Sequence, residues 1–283
     1  MAAVGLACAS ALLFGAMTVA LRIPLRRNPD AEVAALVTVV VALGVTLVAG
    51  AAEAPDRGLG LSGAWPFLLA GVIAPGGSQL LFTLAVREVG ASRSSVVVGS
   101  APLVAVAMAL TLLGEPVRAP LVLGAALVVM GGIELARERG RPEHFRLAGY
   151  GYAFGATVLF ASRDNLVRWL SGSTAARPAV AAAATLLAGA VVIAALFRPT
   201  LVRLRGAAAY VPAGVLFGLS YVCLFEAYYR GRVTVVSPLV ATESLWGVAL
   251  SALLLRRSEL VGRHLVAGAA LVVAGGALIG AFR

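Results

Sequence analysis

The sequence contains no lysine. All 23 basic residues are arginine, set against 13 acidic ones, and charged residues make up only 13% of the 283 positions. An ordinary soluble domain is about one quarter charged. Histidine occurs twice, at His144 and His264, and nothing beside either suggests a metal site. The two cysteines, Cys8 and Cys223, both fall inside apolar stretches and read as buried small hydrophobes rather than as a disulfide or ligand pair. No metal and no cofactor is therefore expected. The net charge of +10 would suggest nucleic acid in a soluble chain. Here no basic stripe with interleaved aromatics exists, so no nucleic-acid partner is expected. No P-loop, zinc-protease or nucleophile-elbow motif occurs, which argues against direct ATP coupling and against an enzyme. Gly58-Leu-Gly60-Leu-Ser-Gly63 spells a dinucleotide fingerprint, but no strand precedes it and it lies between two apolar segments.

Apolar side chains are what the chain has in excess: 60% of residues, with a mean hydropathy of +0.96. The charges sit in short clusters between apolar runs. A helix needs about 20 apolar residues to cross the hydrocarbon core of a bilayer. Ten such segments are predicted, at roughly 2–21, 31–51, 64–86, 91–113, 119–136, 148–170, 179–197, 208–229, 233–255 and 264–281. Helices are the choice that satisfies backbone polar groups in lipid without alternating polarity, which these segments lack. The first segment has no basic lead and is expected to be retained, not cleaved as a signal peptide. The longest polar stretch, Arg137 to Arg146, lies at the middle of the chain. No loop can hold a soluble domain, so any chemistry belongs inside the bundle or at its mouths.

The chain repeats itself. Residues 124–132 read GAALVVMGG and residues 268–276 read GAALVVAGG, an offset of 268 − 124 = 144, close to half the length. Upstream, Leu81-Phe82 matches Leu224-Phe225, Leu112-Leu113 with Glu115 matches Leu254-Leu255 with Glu259, and Phe14 pairs with Phe160. The expected organisation is a first five-helix repeat over 1–136, a connection over 137–147 and a second repeat over 148–283. Five is odd, so the second copy enters the membrane upside down relative to the first. The predicted fold class is an all-α membrane protein of ten transmembrane helices in two inverted-topology repeats, an architecture of secondary transporters.

Three stretches carry a family resemblance: Val89-Gly-Ala-Ser-Arg-Ser-Ser-Val-Val-Val-Gly-Ser-Ala-Pro102, Leu112-Leu-Gly-Glu-Pro116 and the Gly-rich run at 124–132. With the second-copy counterparts Ser237-Pro238, Glu243 and the run at 268–276, they make the chain similar to the EamA domain of the drug/metabolite transporter superfamily. The departures are Ala101-Pro102 where that family often has Glu-Pro, Glu243-Ser244 without the proline, and Arg256-Arg-Ser-Glu259 in place of a Gly-Glu exit. The resemblance implies transport without naming the cargo. The expected function is export of small metabolites such as amino acids by alternating access, driven by a proton gradient through Glu243 or by the solute gradient.

A charged side chain near the bilayer centre costs at least about 2.5–3.5 kcal/mol, so it lines a cavity or pairs. Glu243 is the strongest such residue, flanked by Thr242 and Ser244, with Trp246 three residues on and expected on the same helix face. It is the proton-coupling candidate; a structural partner for a nearby arginine is the alternative. Arg163-Asp164-Asn165 forms a polar spot in segment six, where Arg163 could hold a substrate carboxylate or else snorkel to the interface. In segment three, Pro75-Gly-Gly interrupts the helix beside Ser78 and Gln79, and interrupted segments point to transporter sites; close helix packing at a kink is the alternative. Tyr221 takes nearly the equivalent place in segment eight. Glu226 reads as an interface residue, and the Gly-rich runs as packing surfaces.

Most arginines lie in the connections after segments one, three, five, seven and nine, which places those loops in the cytoplasm and both termini outside. The family expectation has the termini inside. Arginine-only basic residues with abundant Ala, Val and Gly suggest a GC-rich bacterial genome, hence the inner membrane. The expected partners are a small-molecule substrate and the lipid bilayer, with monomer and homodimer both open. Two rival functions are an intramembrane enzyme acting on lipid, which needs clustered His, Asp or Ser at mid-membrane, and a non-transporting sensor or scaffold, which predicts a packed bundle without a cavity.

Overall fold

Long runs of Ala, Val and Leu with few breakers fold as helices, and here they do so over nearly all of the described residues. The structure, a computed structural model, describes residues 2–57, 61–101, 103–104, 119–137, 145–172, 174–197, 206–231, 236, 239–255 and 262–282. Among the described residues there is no strand. The helices are α1 (Ala2–Leu25), α2 (Ala31–Arg57), α3 (Trp65–Gly71), α4 (Ser78–Val89), α5 (Ala91–Val98), α6 (Ala119–Arg137), α7 (Ala148–Ser171), α8 (Pro178–Phe197), α9 (Val211–Arg230), α10 (Glu243–Leu254) and α11 (Arg263–Phe282). They occupy the ten predicted segments, with α3 and α4 as two parts of one.

Five spans among the described residues are long and apolar enough to cross a membrane: Ala2–Leu25, Ala31–Ala52, Trp65–Val89, Pro178–Phe197 and Ala207–Arg230. Shorter apolar helices cover Val122–Leu135, Glu243–Leu254 and Arg263–Ile279. The outward faces remain apolar: Val48, Val191, Leu196 and Leu253 are all well exposed. Such a surface suits lipid and would be an aggregation hazard in water. The chain is a multi-pass membrane protein.

Helices of the two halves pair with one another. α6 lies against α11, α1 against α9, α4 against α7, α2 against α8 and α5 against α10. The α6–α11 seam is built on glycine. A Cβ built on Gly131 would fall 2.8 Å from the carbonyl oxygen of Gly268, and one on Gly268 would fall 2.8 Å from that of Gly131. The repeat offset turns this pair into Gly275 and Gly124, where a Cβ on Gly275 would lie 2.6 Å from the Gly124 carbonyl. Small residues let backbones approach this closely, which is what packs helices in lipid. The two helices run antiparallel, since Gly124 faces Ile279 while Glu134 meets His264 at 2.8 Å.

The α1–α9, α4–α7 and α5–α10 pairs are antiparallel too, the last with Gly99 beside Ser244 and Ser95 beside Gly247. Along α1 and α9, Ser10 meets Ser220 and Phe14 meets Phe217. Along α4 and α7, Val89 lies beside Gly149 and Leu81 beside Gly155. The α1–α9 and α4–α7 pairs form two blocks. Between them Phe14, Phe82 and Phe160 meet with ring centroids 5.1 to 6.2 Å apart. Phe14 and Phe160 are repeat counterparts, so this aromatic cluster marks the meeting of the halves.

Three helical runs are interrupted among the described residues: one at the expected Pro75-Gly-Gly break, and two that the sequence suggests as continuous. Between α3 and α4, Val72–Gly77 makes a wide π-type turn in which Ala74 leaves helical geometry (φ −147°, ψ 120°). Pro75 lacks an N–H and cannot continue the ladder. Gly189 of α8 fills the notch, with room only for a hydrogen where a Cβ would come 2.5 Å from Pro75 Cγ. The second break follows α5 at Gly99–Ser100, and the third precedes α10 at Ala241–Thr242. Hydroxyls take up the freed carbonyls: Ser100 donates to Val97, Thr242 to Leu239 and Ser244 to Ala241. This local competition is why Ser and Thr weaken helix interiors. The last two breaks pack together, since a Cβ on Gly99 would meet Ser244 Cβ at 2.7 Å. Gly90 alone joins α4 to α5, at φ 91° and ψ 168°, a conformation essentially reserved for glycine.

Candidate functional site

A cavity of about 40 Å³ opens beside the aromatic cluster. Its lining includes Ser10, Phe14, Phe160, Arg163, Asp164, Ser220, Tyr221, Leu224, Tyr228 and Glu243, with Val98 and Ala101 from the first half's broken helix. A space of this size has room for a few waters or a very small group. The polar side chains come mainly from the second half. The first half contributes a serine and an apolar wall.

Arg163 organises the wall formed by α7 and α9. Its Nε donates to Asp164 at 2.8 Å, and its second amino group lies 2.7 Å from the same carboxylate oxygen. A third donor reaches the Tyr221 hydroxyl. The guanidinium carbon lies 4.9 Å from the Tyr221 ring centroid and 5.3 Å from that of Phe160, a cation–π arrangement that helps hold a charge out of water. Arg163 is 4% exposed, so it is a buried residue and not one snorkelling to the interface. Asp164 also has the Tyr228 hydroxyl within hydrogen-bonding reach. Asn165, its neighbour in sequence, points elsewhere and donates to the Ala161 carbonyl.

Glu243 is the first residue of α10 and is 6% exposed. Helical side chains tilt towards the N-terminus, so a residue at the first position reaches past the helix end, here into the cavity. Its carboxyl makes no hydrogen bond with a described residue, although Asp164 and Arg163 are near enough to act on it electrostatically. The cavity thus gathers two carboxyls against one guanidinium, and the guanidinium is already engaged.

Ser10 and Ser220 close the α1–α9 side. The Ser10 hydroxyl donates towards the Ser220 carbonyl at 3.1 Å, and the Ser220 hydroxyl donates to the Ser10 carbonyl at 3.0 Å. The two hydroxyl oxygens also lie 3.0 Å apart, and either could donate to the other.

The predicted site residues divide accordingly. Glu243, Arg163, Asp164 and Tyr221 come together. Ser244 is buried against Gly99, and Thr242 is tied to its own backbone. Trp246 does not share the cavity: it is 41% exposed, with its Cβ over Gly15 of α1. One turn along α10 already passes the cavity mouth. Ser78 and Gln79 are fully buried at the α3–α4 break, with side chains that have no hydrogen-bond partner among the described residues, and neither lines the cavity. Glu226 pairs with Arg230 at 2.6 Å near the end of α9. Sequence reasoning missed Ser10, Ser220 and Tyr228. The i, i+3, i+7 stripe Tyr221, Leu224, Tyr228 was the available signal for the last.

A second, larger recess of about 580 Å³ lies at the surface between the start of α3 and the end of α7. It is lined by Trp65, Pro66, Leu69, Leu166, Trp169 and neighbours. No titratable side chain lines it, and both tryptophans are largely exposed, as expected at a membrane interface.

The profile of the EamA-like transporter family matches the sequence twice, over residues 1–134 and 147–281. Sixteen solved chains match in structure. Among them, a crystal structure whose description names no function superposes with a TM-score of 0.69 at 21% identity, covering 99% of this chain and 96% of that one. At such identity the likeness shows the fold alone. A comparison with curated proteins finds no match.

Proposed function

This chain belongs to the EamA-like transporter family, and from that premise we propose that it is a secondary transporter that exports small ammonium-bearing metabolites, amino acids among them, across the cytoplasmic membrane. The observation that carries the reading is Glu243. A buried carboxyl without a hydrogen-bonding partner among the described residues, facing a cavity whose lining guanidinium is engaged by Asp164 and Tyr221, suits a positive group. An uncompensated buried charge is costly, so a cationic ligand or a proton on Glu243 stabilises the occupied state. A substrate carboxylate on Arg163 is the weaker alternative, because two of that side chain's three nitrogens already bond to Asp164.

Alternating access fits the layout. The antiparallel seams between counterpart helices support an inverted relation between the halves, which gives two states of similar energy open to opposite sides. Outward movement and proton exchange at Glu243 are taken from the family resemblance and the site's chemistry. A closed scaffold calls for a packed interior, and the polar cavity speaks against that. An intramembrane hydrolase needs an activated nucleophile, and neither cavity serine has a base beside it; each bonds to backbone and to the other.

Proteoliposomes containing the full chain test this. Radiolabelled ammonium-bearing solutes should cross faster than in protein-free vesicles, with a rate that responds to an imposed pH gradient, and Glu243→Gln should abolish most of the flux. Flux of no small solute, or flux unchanged in Glu243→Gln, overturns the reading.

A further inference from the structure

We propose that Arg22 and Arg168 are paired latches, each closing one end of the cavity. This rests on the transport reading above and adds the residues that control access. The two arginines are counterparts in the repeat: Arg22 lies eight residues after Phe14, and Arg168 lies eight after Phe160.

Each arginine crosses between the two blocks. Arg22, on α1, donates through one amino group to the carbonyls of Val86 at 2.9 Å and Arg87 at 2.7 Å, in the last turn of α4. Arg168, on α7, donates to the Tyr228 carbonyl at 3.0 Å, in the last turn of α9. The first bond runs from the α1–α9 block to the α4–α7 block, and the second runs back. Because α1 and α9 are antiparallel, the two arginines bond at opposite ends of the bundle.

The chemistry at both ends is the same. The last four carbonyls of a helix have no intrahelical partner and carry the negative end of the helix dipole. A guanidinium that docks there satisfies both itself and the helix end. When the blocks separate at that end, both groups must find water, so the bond holds only while the end is closed. Both bonds are formed in this structure, which agrees with a cavity too small for a metabolite.

Further bonds cross between the blocks on both sides. Arg87 of α4 donates to the Pro29 carbonyl, just after α1, at 3.1 Å, and Arg163 of α7 donates to the Tyr221 hydroxyl of α9.

The test uses the full chain in membrane vesicles of each orientation, with Cys8→Ala and Cys223→Ala, and Leu224→Cys as a reporter on the cavity wall. A membrane-impermeant maleimide is applied from one face at a time, without substrate. Arg22→Ala should raise labelling from one face and Arg168→Ala from the other, each by about tenfold, the population shift expected on losing one charge-assisted hydrogen bond. Arg22→Lys and Arg168→Lys keep a point donor and should give smaller rises of the same polarity. They carry the test if an alanine variant does not fold. Labelling that rises from the same face in both variants, or in neither, overturns the proposal. Solute flux by the unsubstituted chain is measured in parallel: flux without polarised labelling sinks the latches alone, and polarised labelling without flux sinks the transport reading alone.

Discussion

Gly131 of α6 lies so close to Gly268 of α11 that a methyl group on either would sit 2.8 Å from the other's carbonyl oxygen. The adjacent Gly132 has nothing within 4 Å of its would-be Cβ. Gly131→Val is expected to force the helices apart and cost about 1–3 kcal/mol, the usual range for overpacking. Gly132→Ala should be neutral or slightly stabilising, within about 0.5 kcal/mol, since alanine is the better helix former. Thermal unfolding of the two variants in detergent compares them directly. Equal melting temperatures would mean that the seam is looser than described.

Asp164 and Glu243 are both buried acids, but they should respond in opposite ways to neutralisation. Asp164 compensates Arg163 through two short contacts. Removing it as Asp164→Ala strands a buried guanidinium, for which about 3–5 kcal/mol of destabilisation is typical. Arg163→Met combined with Asp164→Ala should recover part of that loss, and a double-mutant cycle in thermal stability measures the coupling.

Glu243→Gln should leave stability within about 1 kcal/mol, because the carboxyl has no hydrogen bond to a described residue to lose. Its effect is expected on function: flux of an ammonium-bearing solute should fall by about tenfold or more, the cost of losing one charged hydrogen bond to the ligand. A neutral analogue of similar shape should be little affected. A large loss of stability with no selectivity between the two solutes would assign Glu243 a structural role instead.

Ser10→Ala and Ser220→Ala should each cost about 1 kcal/mol, the net worth of one hydrogen bond. The double variant should cost less than their sum, since the two hydroxyls share one ring of bonds. Additive losses in chemical or thermal unfolding would show that the ring is not cooperative.

How much of this was legible in the sequence follows from the range of the interactions involved. Apolar run length sets the helices, so Ala2–Leu25 and Pro178–Phe197 could be drawn from hydropathy alone. Charge inside an apolar run is expensive, so Glu243 and Arg163 identified themselves. Helix breaks were less visible. The Pro75 break announces itself, whereas those at Gly99–Ser100 and Ala241–Thr242 depend on hydroxyl side chains competing for carbonyls. Treating segment nine as one continuous helix put Trp246 on the cavity face. In the structure α10 begins at Glu243, and by Trp246 the helix has moved on to pack against Gly15. Ser10 was invisible because a lone serine in an apolar helix gains meaning only from its partner, 210 residues away.

The uneven division of polar groups bears on why the two halves are one polypeptide. Two copies of the second half, paired about the same axis, would bring Arg163, Asp164 and Glu243 together twice, in an interior with about 40 Å³ to spare. Two copies of the first half would bring no charge at all. Neither half can serve as its own mate. Covalent fusion guarantees one of each in every molecule, so one half could specialise in chemistry while the other kept the shape of the wall.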